Sequence, residues 1–383
     1  MINKKVSIVV PALNEKITIA EFITWCKEGL EKANVDGEII IIDSSTDETP
    51  QIAKSMGARV LSVPKKGLGQ AYIDALPEIK GDYVIMGDCD CTYDFREIGK
   101  FVDKLEEGYE FVMGTRMKGY IEPGAMPPLH RYFGTPLTTK LLNAIYGSHF
   151  SDIHCGMRAM TREALNKISL ESTSWEYASE MVLKAAKLKL KTAEVPIRFY
   201  KDKEGRLSQH KRTGWFSPWL AGWINLRVML VYNPQFFLRI PGIVLMFLGI
   251  AFVGMSLLGR FVEIFNMFSL HTLMVAFMSF IFGFSSYQLS VFSEVYYAFD
   301  KDKVTRYRKK YTYNKLMGLA GIFFIAGTAF LLWFLNYFIK GGFVFGGIAF
   351  SMLFAVVSFV ISFQIFTFSL LFEILFKKRR MVF

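Results

Sequence analysis

Asp88 and Asp90 stand one residue apart at the end of a short apolar run, Tyr83-Val-Ile-Met, with Thr92 and Asp94 close behind. In extended backbone, residues i and i+2 point to the same side, so the two carboxylates can close on one divalent cation. Hard cations such as Mg²⁺ take a few carboxylate oxygens and complete their shell with water and substrate phosphates. A solvated acidic turn would carry the same pattern. What the other strand ends carry decides between the two.

Five apolar segments read as strands, over 6–10, 38–42, 59–63, 83–86 and 111–113. Helix-like segments over 18–33, 50–56, 69–76 and 96–107 separate most of them. Near-continuous Val/Ile runs alternating with helices predict a parallel sheet buried on both faces. Ligands of such sheets bind beyond the carboxyl ends of the strands. Those ends carry Pro11-Ala12-Leu-Asn-Glu15, Asp43-Ser-Ser-Thr-Asp47, Lys65-Lys-Gly67-Leu-Gly69 and Asp88-Cys-Asp90. Asp47 or Thr49 could equally cap the next helix. No G-x-G-x-x-G follows the first strand and no G-x-x-x-x-G-K-[ST] occurs, which argues against a dinucleotide site and a P-loop. A rim of carboxylates for base and ribose beside a metal-holding pair suits a nucleoside diphosphate. A metal there would neutralise the charge that grows as the diphosphate leaves.

Cations follow. Gly114-Thr-Arg116 ends the fifth segment, a Gly/Pro-broken loop ends in His130 and Arg131 with Thr135 beyond, and Asp152-Ile-His154-Cys-Gly156-Met-Arg158 comes next. Arginines beside hydroxyls form phosphate pockets through their planar donor forks; alternatively, Arg158 pairs internally with Asp152. His130 and His154 lack the partners of a metal site and read as structural hydrogen-bonders. Glu180 sits among apolar residues of a helix-like stretch, and 194–200 looks like a closing strand. Positions 201–213 hold five Lys/Arg against two acids, a solvated run or one that meets lipid headgroups or a diphosphate.

The 383 residues carry a formal charge of +11 and 37 Phe, unevenly spread. Up to about residue 213 the chain mixes charge and apolar runs; after 235 it turns Phe-, Leu- and Gly-rich. The N-terminus runs into a strand without a secretory leader. Cys26, Cys89, Cys91 and Cys155 have no framework spacing, which fits a reducing cytosol. A lone C-x-C lacks the second half of a zinc site, so Cys89 and Cys91 read as small strand-end residues. The organisation predicted is a catalytic α/β domain over 1–213, amphipathic interfacial helices over 214–234, where tryptophans gather, and a membrane domain over 235–383. Its spans fall near 240–259, 268–293, 316–339 and 343–372, each near or above the ~20 residues that cross a bilayer. Lys/Arg concentrate at 300–315 and in the tail, which predicts cytoplasmic termini and a cytoplasmic catalytic domain. The spans are poor in ionisable groups, unlike most ion or solute pathways. A membrane bilayer is therefore one partner, and no nucleic acid is expected.

These motifs together resemble glycosyltransferase family 2 with the GT-A fold, in particular membrane-bound polyprenyl- or dolichyl-phosphate hexosyltransferases. The stretches that carry the resemblance are Val9-Val-Pro-Ala-Leu-Asn-Glu15, Asp43-Ser-Ser-Thr-Asp47, Asp88-Cys-Asp90, Gly114-Thr-Arg116 and 152–158. The resemblance implies a Rossmann-like nucleotide-diphospho-sugar transferase domain followed by interfacial helices and an all-α four-span domain. It implies nucleotide contacts from Pro11, Ala12, Glu15, Asp43, Gly69 and Asp88, and Mg²⁺ or Mn²⁺ on Asp88 and Asp90. Thr92 stands where the mannose synthases carry a metal-contacting Gln, so it is the expected third ligand. Arg116, Arg131 and Thr135 match positions that hold the acceptor phosphate, and Arg206, His210 and Arg212 are candidates to close over the diphosphate. Asp90, Arg116 and Arg131 are the expected catalytic residues.

The reaction so implied is attack by a polyprenyl phosphate on the anomeric carbon of a nucleotide sugar, with inversion. UDP-glucose is slightly preferred as donor because of Thr92, with GDP-mannose next. Two alternatives stand beside it. One is a processive polysaccharide synthase, although the Q-x-x-R-W signature of those enzymes meets Gln209-His-Lys-Arg212-Thr-Gly-Trp215, with Trp two residues late. The other is a flippase or transporter of a lipid-linked sugar.

Overall fold

The computed structural model describes residues 4–206, 223, 226–230, 232–258, 270–341 and 349–380. The chain forms two compact units, residues 1–231 and 232–383. The interfacial segment expected over 214–234 lies largely outside the described residues, and so do His210 and Arg212.

The first unit is built on seven strands: β1 Val6–Ala12, β2 Gly37–Asp43, β3 Arg59–Ser62, β4 Tyr83–Met86, β5 Phe111–Ile121, β6 Arg158–Thr161 and β7 Thr192–Phe199. Their order in the sheet is β3-β2-β1-β4-β6-β5-β7. The β3-β2-β1-β4 half is parallel, as its buried Val/Ile runs require. The expectation of an all-parallel sheet fails at β6, which pairs antiparallel with both β4 and β5. β6 is four residues long and its Arg158 breaks the apolar pattern, so it carried no strand signal. Arg116 lies inside β5, which continues to Ile121 rather than ending at Met113.

Seven helices connect and cover the sheet: α1 Ile19–Ala33, α2 Thr49–Ser55, α3 Leu68–Ala75, α4 Gly99–Glu106, α5 Thr135–Tyr146, α6 Arg162–Ile168 and α7 Tyr177–Lys187. α1 turns Phe22, Ile23 and Cys26, all fully buried, onto the sheet and ends at Asn34 in the left-handed conformation. A π-helical turn, His130–Gly134, leads into α5. Leu129, Tyr132, Phe133 and Leu137 along this stretch are exposed.

The second unit is helical: α8 Ile240–Leu258, α9 Leu270–Tyr297, α10 Lys301–Lys310, α11 Tyr313–Lys340 and α12 Ala349–Arg380. Four stretches, Gln235–Ser256, His271–Tyr297, Tyr313–Lys340 and Phe350–Lys377, are long and apolar enough to cross a membrane. α10 is the short polar exception, capped by Asp300, whose Oδ1 accepts from Lys303 N. Leu273, Phe277, Ala320, Val357, Ile361 and Ile365 form a core among α9, α11 and α12. At one end of the unit Glu294 accepts from Arg239, Lys303, Gln235 and Tyr307, so this charge among the spans is fully engaged.

Candidate active site

The sheet order passes from β1 directly to β4, and a crevice opens where the winding of an α/β sheet changes direction. β1 and β4 run in register from Val6↔Tyr83 to Val9↔Met86. Their carboxyl ends therefore deliver Pro11–Glu15 and Asp88–Asp90 to one rim. On the other side of β1, Ala12 pairs with Asp43. Pro11, Ala12, Glu15, Asp43, Asp88 and Asp90 are thus brought to one edge of the sheet, as their positions after strands predict.

Hydrogen bonds lace the loops together. Asn14 adopts a left-handed φ of 59°, which Asn tolerates better than most residues. From there its Oδ1 accepts from Thr46 N at 2.9 Å, and its own N–H donates to Ser45 Oγ at 2.8 Å. Thr49 receives Glu15 N–H at 2.9 Å and donates to Asp47 Oδ1 at 2.5 Å. The capping alternative fails: Glu48 is the N-cap of α2 and no side chain caps it, whereas Asp47 Oδ1 also accepts from Thr49 N at 3.0 Å, and the Asp47–Thr49 pair fixes the backbone of Glu15. Cys89 Sγ donates to Pro11 O at 3.2 Å and Cys91 Sγ to Thr18 O at 3.6 Å. The two thiols clip the Asp88–Asp90 loop to β1 and α1. Burial raises the thiol of Cys91 to about 12 and that of Cys89 well above its usual value, so neither is a thiolate at neutral pH.

Asp88 and Asp90 sit half-buried at the rim. Burial, then the charge of Asp90, raises Asp88 to about 7, while Arg158 and Arg206 pull it down. Burial raises Asp90 too, against the pull of Arg206 and the hydrogen bonds of Thr92. Arg206 is the central cation. Its Nε and Nη2 donate to the two oxygens of Glu15, each at 2.7 Å, and its Nη1 lies 3.1 Å from Asp90 Oδ2 and 2.7 Å from Asp202 Oδ1. Behind the pair, a Cβ built on Gly156 would fall 2.6 Å from Asp88 Oδ2 and 2.9 Å from the Tyr93 ring. Gly156 N–H donates to Tyr93 Oη at 2.9 Å, so glycine is what lets this loop lie against Asp88.

Three expectations land differently. Thr92 Oγ1 donates to Asp90 Oδ1 at 2.6 Å and its N–H to the same oxygen at 3.0 Å; its hydroxyl orients Asp90. Gly69 is buried against the loop 172–174, where an added Cβ would lie 2.1 Å from Ser172 O. That loop is held by the buried carboxylate of Glu180, which accepts from Glu171 N, Ser172 N and Lys184 Nζ. Asp152, finally, pairs with Arg116 and not with Arg158. Arg116 Nε and Nη2 donate to the two carboxylate oxygens at 2.7 and 2.9 Å, and both residues are buried. Arg158 instead donates to the carbonyls of Cys155, Gly156 and Ala178, holding the Gly156 loop in place. Arg131 is on the π-helical turn, 5.4 Å over the Tyr132 ring. Thr135 begins α5 and is buried. His154, lowered to about 4 by burial, shares a 2.8 Å hydrogen bond with Thr138, a structural place as expected.

Residues 7–169 match the family described as Glycosyl transferase family 2. A dolichyl-phosphate hexose transferase of Haloferax volcanii is 35% identical over 169 residues, 44% of this chain and 72% of that protein. The chain belongs to glycosyl transferase family 2. Two further relatives, both from Haloferax volcanii, are similar to this chain. The low-salt glycan biosynthesis hexosyltransferase Agl6 is 42% identical over 64% of this chain, and glycosyltransferase AglJ is 37% identical over 52%. The chain spans 57% and 64% of the lengths of these two.

The rim of this family 2 domain fits a divalent cation by its donor chemistry. Two carboxylates repel each other across one gap, and a guanidinium nitrogen already lies on one of them. Among the described residues no three His, Cys, Asp or Glu side chains converge on one point. The fit is therefore a two-carboxylate site completed by water and phosphate oxygens, the arrangement Mg²⁺ favours. Sequence reasoning did not find the roles of Asp152 and Gly156. Asp152, two residues before His154, is matched with Arg116 only through the β5–β6 pairing.

Proposed function

We propose that this chain transfers a hexose from a nucleotide sugar to a polyprenyl or dolichyl phosphate at a membrane surface, with inversion at the anomeric carbon. The observation that carries this is the placement of Asp88 and Asp90 beside Glu15 and Asp43 on one rim, with Arg206 across it. The dolichyl-phosphate hexose transferase of Haloferax volcanii supports the acceptor class, and the four apolar helices support a membrane-held enzyme. UDP-glucose remains slightly preferred over GDP-mannose.

Asp43 and the 11–15 loop bind the nucleoside, whose base and ribose offer donors to these carboxylates. Asp88 and Asp90 would hold Mg²⁺ or Mn²⁺, which supplies charge neutralisation at the diphosphate when bound. Arg206 leaves Asp90 and Glu15 for the phosphate oxygens as the donor enters, placing a fixed cation where negative charge develops. The acceptor needs no general base: a phosphate monoester has its second pKa near ~6 and is a dianion-rich nucleophile at neutral pH. Arg131 and Thr135 receive the acceptor phosphate. Arg116, paired to Asp152, holds the 152–156 loop behind Asp88 and so positions the site. The catalytic unit and both chain ends face the cytoplasm, following the Lys/Arg-rich 300–315 segment and tail.

Membranes carrying the protein, incubated with radiolabelled UDP-glucose or GDP-mannose and polyprenyl phosphate, test the reading. Label in a monosaccharyl lipid is the expected result. Label in polymer would assign a processive synthase, and no transfer from any donor would leave lipid transport.

A further inference from the structure

At one end of the membrane unit, α10, the turn into α11 and the last turns of α12 line a half-open recess of about 170 Å³. That is some tenfold more than the ~10–15 Å³ a single water needs. Arg308 and Lys377 line it from two different helices, with Glu373 as the one acid, for a net lining charge of +1. Among the described residues neither cation forms an ion pair. The contrast lies on the same helix: Lys303, one and a half turns back, is tied to Glu294 at 2.5 Å.

Aromatic rings form the apolar part of the wall. Arg308 Cζ sits 5.4 Å over the Phe376 ring, which holds the guanidinium without neutralising it. Tyr311 is set edge-on against Phe368 and Phe372, each at 5.9 Å, and its hydroxyl lies 2.7 Å from that of Tyr287. Thr312 precedes α11 as its N-cap, yet its side chain makes no cap bond and its residue lines the cavity. Among the described residues, two cations without an ion pair and a Thr312 hydroxyl without a hydrogen bond therefore line one aromatic-walled space beside helices apolar enough to cross a membrane. Solvated cations flanking a span need no cavity and no cation–π seat.

We infer that the Arg308–Lys377 cavity is a binding site for the phosphate headgroup of a membrane lipid, with the lipid chain lying along Phe372 and Phe376. Basic pockets between spanning helices take anionic headgroups in this way. The inference does not depend on the transfer reaction, because the site belongs wholly to the membrane unit.

Native mass spectrometry of the purified, delipidated full chain tests it, with phosphatidylglycerol, polyprenyl phosphate or phosphatidylcholine added back. Each removed cation should cost about fivefold in retention, so Arg308→Gln with Lys377→Gln should lose roughly 25-fold. Lys377→Gln alone, at an exposed position, should lose about fivefold. The charge-matched pair Arg306→Gln with Lys309→Gln, outside the cavity, should leave retention near wild type. Retention of phosphatidylglycerol alone assigns a bulk lipid, and retention of polyprenyl phosphate alone a substrate; both support the site. Equal losses in the two double variants, equal retention of phosphatidylcholine, or occupancy by inorganic phosphate without any lipid would overturn it.

Discussion

Arg206 forms a two-pronged ion pair with Glu15, 2.7 Å at each oxygen, and reaches Asp90 with its remaining nitrogen at 3.1 Å. One guanidinium thus joins the loop after β1 to the loop after β4, with Glu15 14% and Asp90 13% exposed. Under the proposed function it would compete with a metal for Asp90 and supply a cation to the departing diphosphate. Arg206→Ala should therefore split two readouts. Mn²⁺ affinity without donor should rise about fivefold, the worth of one screened ion pair of ~1 kcal/mol, while kcat should fall by roughly 10²-fold. Calorimetric Mn²⁺ titration beside a transfer assay checks both; a fall in metal affinity would remove Arg206 from this competition.

Asp90→Ala should reduce transfer by at least about 10³-fold while membrane insertion and the melting temperature stay near wild type. Asp90 is held by Thr92, so Thr92→Val should weaken Mn²⁺ binding by several-fold without abolishing it. Full transfer by Asp90→Ala would refute the metal assignment.

Most of this rim is legible in the sequence, because each motif follows a strand and parallel strands deliver their carboxyl ends to one edge. The β1 and β4 motifs fell where the Val/Ile runs ended. β6 was hidden by its length, with Arg158 where an apolar residue would mark a strand. With β6 unseen, the β5–β6 pairing that sets Met113 opposite Arg158 was also unseen. Asp152 was then left open to the sequence-near arginine rather than to Arg116, 36 positions away. Gly69 shows the converse. Its type was informative, but it answers the Ser172 and Ser174 carbonyls, a contact that only tertiary structure creates.

Asp88 is raised to about 7 by burial and by Asp90, so under the proposed function it should set the pH dependence of metal binding. Protons compete with the cation, so apparent Mn²⁺ affinity should fall about tenfold per pH unit below 7 and level off above ~8. The folded-state value lies above the ordinary ~3.9, so the native state holds the extra proton between about pH 4 and 7. The stability this residue contributes is therefore present at low pH and lost as pH rises through 7. In Asp90→Asn the repulsion is gone, and the inflection should move to lower pH. Mn²⁺ titrations from pH 5 to 9 on both proteins check it; an inflection unmoved by the substitution would exclude Asp90 as a cause.

Arg116 and Asp152 are both buried, and breaking such a pair leaves one charge uncompensated. Arg116→Met should destabilise the catalytic unit by about 3–5 kcal/mol, and Asp152→Asn should do the same in direction. Arg131→Ala, half-buried on the π-helical turn and without an ion pair among the described residues, should leave the melting temperature near wild type and raise KM for the lipid phosphate. Thermal melts and acceptor kinetics on the three variants separate support from contact. A stable Arg116→Met with a raised acceptor KM would return Arg116 to the acceptor phosphate.

Gly156→Ala places a methyl group where Asp88 Oδ2 and the Tyr93 ring already stand, at 2.6 and 2.9 Å. The ring is fixed by the Gly156 N–H bond to Tyr93 Oη, and the loop by Arg158 on three carbonyls. The Asp88 carboxylate is the mobile party, so it should turn away from Asp90 and open the metal-holding gap. Mn²⁺ affinity and transfer should both fall by roughly 10²-fold, as for a misplacement of about 1 Å at a reacting centre. The melting temperature should drop by only a few degrees, about 1 kcal/mol for a crowded but yielding contact. Wild-type Mn²⁺ affinity in a folded Gly156→Ala protein would mean that Asp88 does not hold the cation.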